Sequence, residues 1–297
     1  MIKKIFKAVL FLIRFIIVVL IVDIVVDLLS LMIGTFTAQL LVICILFSLD
    51  IFVFMELLYY IFIERKNYNN MRKITILPET TKNPITLMGA RAGVCWGADI
   101  SNNEKNYKRG LDCIKSGHGR VMEYVNVEMI IDGYSAKVLR EYYTHIGGSP
   151  TRLQASTRYI NYSKGNGFDF VIPKSIEKSK EASSEWYLTM TNINHTIADF
   201  IKKYNIPVED ATMLLPLAYS SKMVDKRNLR SLIDMSRQRM CSRAYWEYRE
   251  LFKDISSALR EYSDEWKWIV DNLFHAKCDE VGYCTESKSC GRKSKKE

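Results

Sequence analysis

The sequence contains no glycine-rich phosphate loop, no dinucleotide-binding glycine fingerprint and no nucleophile elbow, so it offers nothing for a P-loop hydrolase, a Rossmann oxidoreductase or a serine hydrolase. It has no internal repeat and no low-complexity tract, which removes solenoid and scaffold architectures. Cysteine is sparse and odd in number. Seven residues, Cys44, Cys95, Cys113, Cys241, Cys278, Cys284 and Cys290, are scattered through 297 positions. That is no disulfide framework, and a reducing compartment fits it better. A cleavable signal peptide is also missing. The first apolar run extends far past the roughly 7–15 residues of such a peptide and shows no small-residue cleavage site.

What is present is unevenly distributed. The chain is 48% hydrophobic, but residues 1–63 are dominated by Leu, Ile, Val and Phe, whereas the remainder has the mixed composition of a globular domain. Residues 1–66 carry six Lys/Arg against five Asp/Glu, so eight of the nine net positive charges lie beyond them. An anionic ligand, a membrane surface and an ordinary basic solvated surface all suit that excess.

Ala8 to Met32 and Ala38 to Ile63 are two apolar stretches, each long enough to cross about 30 Å of hydrocarbon at about 1.5 Å per residue. Gly34 to Thr37 forms the expected turn. Lys3, Lys4 and Lys7 precede the first stretch and Arg65, Lys66, Arg72 and Lys73 follow the second, so both ends are expected in the cytoplasm. Arg14, Asp23, Asp27, Asp50 and Glu56 interrupt the apolar runs. Charges in hydrocarbon are costly, and a hairpin folded about residue 35 brings Arg14 and Glu56 to similar depth, where they can pair. A simple anchor, an oligomer-forming bundle and a transport or sensing element remain open for this segment.

The domain division expected is 1–66 transmembrane hairpin, 67–275 globular domain and 276–297 Cys/Lys-rich tail. Within the domain, Lys73 to Leu77 reads as a strand ended by Pro78. Lys105 to Ser116 reads as a helix. Val121 to Ile131 reads as a strand, because Val125, Val127 and Met129 alternate with Asn126 and Glu128. Ala136 to His145 is helical up to Gly147-Gly148-Ser149-Pro150. Three further helices are expected over Ser183 to Tyr204, Val208 to Leu215 and Asn228 to Tyr262, the last carrying a long apolar stripe. The fold class is α+β, a small antiparallel sheet with helices segregated from it.

Three polar clusters carry the chemistry. The first is Gly117-His118-Gly119-Arg120-Val121-Met122-Glu123 at a helix-to-strand turn. The second is Ser156-Thr157-Arg158-Tyr159, after a loop holding Arg152 and Gln154. The third places Asn228, Arg230, Asp234 and Arg239 on one helix, with Arg243 a turn beyond. Singly, a histidine at a turn is most often structural and helix arginines are most often solvated.

In their order and spacing the clusters resemble the flavin-dependent thymidylate synthases, over about residues 85–260. His118 through Glu123 is similar to that family's Gly-His-x-x-x-x-Glu-His element, with Tyr124 replacing the second His. Ser156-Thr157-Arg158 resembles the end of its Arg-His-Arg-x7-Ser-x-Arg signature. Pro207-Val208-Glu209-Asp210-Ala211 and Leu214-Leu215-Pro216 resemble its helix ending in Leu-Pro. Asn228-Leu229-Arg230-Ser231-Leu232, followed by Arg239 to Glu247, resembles its Asn-x-Arg-x-Leu and Arg-x-x-x-x-Ala-Gln-Trp-Glu elements. The departures are Thr144 and Ile146 in place of the arginines around His145 with a loop to Ser156 two residues longer, or, in an ungapped pairing, Ile146-Gly147-Gly148 in place of Arg-His-Arg; Thr212 in place of an arginine; and Glu141 in place of a glutamine.

The resemblance implies an enzyme in which FAD, reduced by NADPH, acts with methylenetetrahydrofolate to methylate dUMP at C5. It implies Ser156, Arg158, Arg239, Glu141 and Gln154 as the substrate residues. His118, His145, Asn228, Arg230 and Arg152 are implied as the cofactor residues, Arg152 standing in for one lost charge. No side-chain nucleophile is expected, and Cys241 is read as helix packing. A homotetramer with flavin sites between subunits is implied, with a membrane as a further partner and no nucleic acid. His275, Cys278, Cys284 and Cys290 fall within sixteen residues, but their gaps are wider than the usual Cys-x2–4-Cys zinc knuckle and no metal site is assigned. The alternatives are a flavin-dependent methylase of another pyrimidine nucleotide and a catalytically silent nucleotide- or flavin-binding module at the membrane.

Overall fold

The computed structural model describes residues 72–296, and the chain divides into units just before them, between Asn69 and Asn70. The hairpin expected over residues 1–66 lies outside the described residues. Among the described residues no helix is long and apolar enough to cross a membrane.

Alternation builds the sheet. β1 (Lys73–Ile76) pairs antiparallel with β2 (Asn126–Ser135), in which Val127, Met129 and Ile131 are fully buried. β3 (Thr151–Gln154) is an edge strand, and β4 (Ser220–Asn228) lies between it and β2, giving the order β1-β2-β4-β3. In β4 the inward positions are Ser221, Met223, Asp225 and Arg227, a mixed set with two charges.

The helices are α1 (Pro84–Cys95), α2 (Asn103–Lys115), α3 (Ala136–Tyr143), α4 (Lys174–Glu177), α5 (Lys180–Lys202), α6 (Val208–Ala211), α7 (Leu229–Arg239), α8 (Trp246–Tyr262), α9 (Asp264–Leu273) and α10 (Lys277–Val281). Polar side chains start several of them. Asn102, Ser135, Ser179, Asn228 and Ser263 each accept a hydrogen bond from a backbone N–H in the first turn. The core joins β2 to Val138, Leu139 and Tyr142 of α3, Leu229 and Leu232 of α7, Leu251, Phe252 and Ile255 of α8, and Trp266 of α9. α1 and α2 cross closely because Gly110 has no side chain: a Cβ there would lie 2.0 Å from the Ile85 carbonyl oxygen.

The α+β class with a small antiparallel sheet is what the alternating and helical patterns predict. Three local readings change. Val121 belongs to a 3-10 turn, Gly119–Tyr124, and the strand starts at Asn126. The single helix expected over Asn228 to Tyr262 is two helices, α7 and α8. Between them the Arg249 guanidinium donates to the Ala244 carbonyl and the Ala244 N–H donates to the Cys241 carbonyl, closing a turn. Periodicity reads through this break because both helices turn their apolar faces to the same core. β4 was not anticipated, since its charge-rich sequence resembles a loop.

Candidate active site

α3 ends at Tyr143, and the following turn passes over the start of α7. His145, Ile146, Gly147 and Gly148 from the turn, with Glu123, Asn228 and Arg230, line an open cavity of about 420 Å³. Gly148 makes this crossing possible. Its φ is +74°, and a Cβ there would come 2.4 Å from Asn228 Nδ2. Asn228 caps α7, its Oδ1 accepting from the Ser231 N–H at 2.9 Å. The cavity therefore opens on the N-terminus of an eleven-residue helix, where free N–H groups and the helix dipole favour an anion. Arg230 adds a half-exposed guanidinium, paired with Glu123 at 2.7 Å. His118 is exposed at the entry to the 3-10 turn and does not line the cavity; the next residue, Gly119, lies beside the Arg230 guanidinium.

At the cavity wall His145 meets the end of α7. Arg239 Nε donates to His145 Nε2 at 2.9 Å, and its Nη1 approaches Glu141 Oε2 at 3.9 Å. The imidazole lies edge-on to the ring of Tyr248, whose face carries the Arg239 guanidinium at 4.4 Å. Burial, then the charges of Arg239 and Arg227, push the His145 pKa down from 6.5 to about 4. His145 is thus neutral at physiological pH, with Nε2 as an acceptor.

Behind these rings lies a layer absent from the expected site. Tyr142 stacks on Tyr248 with centroids 6.0 Å apart, and its hydroxyl donates to Asp225 at 2.8 Å. Asp225 accepts both Nε and Nη2 of Arg227, at 2.6 and 2.7 Å, and Arg227 Cζ lies 4.2 Å over the Tyr142 ring. All four side chains are essentially inaccessible to solvent. The only sequence signal was that Asp225 and Arg227 share the inward face of β4 with Met223.

The second group of expected residues stands apart. Ser156 Oγ accepts from the Arg158 N–H at 3.2 Å, and Arg158 Nε donates to Glu209 at 3.0 Å, with both side chains largely exposed. Gln154 donates to Ser221 Oγ. Arg152 donates to the Tyr143 carbonyl and lies over the Tyr143 ring, so it braces the turn bearing His145 from outside the cavity. Among the described residues no hydrogen bond or ion pair joins Arg239 to Ser156 or Arg158, and none of the three lines the cavity. Thr212 is buried and donates to the Thr157 carbonyl at 2.9 Å, tying this loop to α6.

Cys241 lies in the turn after α7 and not on a helix face. It lines a small cavity with Cys278, Cys284 and Cys290, remote in sequence from His145. Among the described residues no three His, Cys, Asp or Glu side chains are grouped to hold a metal ion.

A family model described as thymidylate synthase complementing protein matches residues 76–263. The chain belongs to this family. Its relatives include the flavin-dependent thymidylate synthase of Nitratidesulfovibrio vulgaris, 28% identical over 236 residues, which cover 71% of this chain and 91% of that one. That of Pyrococcus abyssi is 32% identical over 186 residues, 62% of this chain and 75% of that one. The crystal structure of the flavin-dependent thymidylate synthase of Helicobacter pylori, complexed with FAD and dUMP, superposes with a TM-score of 0.56 at 17% identity. It covers 68% of this chain and 99% of that one, and the likeness shows a shared fold.

Proposed function

We infer that the protein is a flavin-dependent thymidylate synthase, converting dUMP to dTMP with FAD, NADPH and methylenetetrahydrofolate. The observation that carries this is the family match across residues 76–263, which contains every residue lining the His145 cavity. The donor set fits a flavin nucleotide: the α7 N-terminus and Arg230 suit phosphate, and a neutral imidazole flanked by backbone suits a planar ring. FAD supplies the reducing equivalents of the methylation when bound.

The chain's own residues bind and orient. Asn228 and Arg230 are proposed to hold the cofactor, with His145 at its ring and His118 and Arg152 supporting the surrounding turns. Arg239 is proposed to place a cation beside the cavity, behind His145, where an anionic substrate can engage its free edge. Ser156, Arg158 and Gln154 are proposed to complete the substrate grip from a neighbouring subunit. Two observations support that homotetrameric reading: the separation of this loop from Arg239 within one chain, and the exposed apolar side chains of Leu153 on the edge strand and of Ile146 and Tyr159. No side-chain nucleophile is assigned in this reading.

Residues 1–66 are proposed to anchor the enzyme to a membrane with its catalytic domain in the cytoplasm. The two apolar stretches and their flanking basic residues support this. Carbonate extraction of membranes from expressing cells tests it, with retention in the pellet as the expected result. For the activity, the purified full chain is expected to show flavin absorption and to oxidise NADPH only when dUMP and methylenetetrahydrofolate are both present. Labelled methylene transfer to a different pyrimidine nucleotide in preference to dUMP would overturn the substrate assignment.

A further inference from the structure

Tyr248 is fully buried, and its hydroxyl has no hydrogen-bond partner. An unpaired buried hydroxyl costs stability, and phenylalanine would fill the same space without that cost. The ring is not idle packing. One face stacks on Tyr142, which is tied to the Asp225–Arg227 pair; the Arg239 guanidinium lies over the ring at 4.4 Å, and the His145 imidazole meets it edge-on. Tyr248 is therefore the layer between a fixed ion pair and the joined pair of Arg239 and the cavity-lining His145.

Arg239 itself is lightly held. It makes one short hydrogen bond, to His145, and a 3.9 Å approach to Glu141, so it can turn toward an anion without leaving the ring face. We propose that Tyr248 is a positioning residue for the Arg239–His145 pair, its ring fixing both groups and its hydroxyl being the hydrogen-bonding group reserved for the pair's ligand-bound arrangement. The proposal deepens the thymidylate synthase reading and rests on it for the identity of the ligand.

The test compares the full chain with Tyr248→Phe and Tyr248→Leu. In ligand-free protein, Tyr248→Phe is expected to raise the thermal midpoint by about 2–4 °C, because an unpaired polar group is removed. Calorimetry is expected to show dUMP binding weakened about tenfold, the size of one lost hydrogen bond, with kcat also reduced. Tyr248→Leu is expected to lower both the midpoint and binding, and to shift the His145 imidazole nitrogen signals in ligand-free NMR spectra as the Arg239 contact loosens. Stability and affinity thus move in opposite directions for phenylalanine and together for leucine. Wild-type binding and turnover in Tyr248→Phe would overturn the role of the hydroxyl. Unchanged His145 signals in Tyr248→Leu would overturn the role of the ring. If the wild-type chain binds no dUMP, the substrate reading fails, and the imidazole signals still decide whether the ring positions the pair.

Discussion

The cavity wall and the 154–158 loop carry the same kinds of cation in opposite settings. Arg239 and Arg227 lie on or under packed aromatic rings, with partners held by α3, β4 and α8. Arg158 projects from a turn, pairs with a carboxylate that is itself more than half exposed, and has beside it only the exposed ring of Tyr159, 5.7 Å away. A cation in the first setting is oriented before any ligand arrives. One in the second gains orientation only when a ligand or a neighbouring subunit supplies it. Electrostatic preorganisation therefore belongs to the wall, and affinity through closure belongs to the loop.

That contrast can be broken most severely from below. Asp225→Ala leaves the Arg227 charge buried without its partner, and unfolding in urea is expected to show a loss of about 3–5 kcal/mol. Replacing Asp225 and Arg227 together by Leu and Met is expected to restore much of it, because the penalty lies in the uncompensated charge. At the wall, Arg239→Ala is expected to lower kcat/KM on the order of 100-fold. Arg239→Lys, which keeps charge but loses the planar fork, should recover only part of that in the same assay.

Smaller effects sharpen the other side of the comparison. Arg158→Ala is expected to leave the unfolding midpoint nearly unchanged, since an exposed pair contributes about 0–1 kcal/mol, while KM for dUMP rises by about tenfold. An equal loss of stability and activity would place Arg158 in the structural frame instead. A pH-dependent effect concerns His145. Its folded pKa, near 4, lies below the ordinary value of 6.5, so the unfolded chain binds the proton more readily between those limits. Its contribution to stability is accordingly present above about pH 6.5 and declines as the pH falls toward 4. His145→Asn should flatten that part of the stability profile, measured as denaturation midpoints across the pH range.

Parts of this arrangement were legible without coordinates. Alternation of Val125, Val127 and Met129 marked the central strand, and the Asn228-to-Arg239 spacing placed the helix cap and the cation beside His145 on one helix. The break between α7 and α8 was not legible, because it is made by Arg249 reaching back to a carbonyl and not by glycine or proline. β4 was hidden for a related reason. Lys222 to Asn228 looks like solvated loop until Asp225 and Arg227 are seen to neutralise each other inside the sheet.

By itself the sequence determined the α+β class and the resemblance to the family, because periodicity, caps and motif spacing are local properties that survive without coordinates. Only the tertiary structure decided that His145 is neutral, that Arg239 rests on a buried ring, and that Arg158 stands apart in one chain. Those outcomes depend on which side chains exclude water from which others, and burial is set by segments distant in the chain.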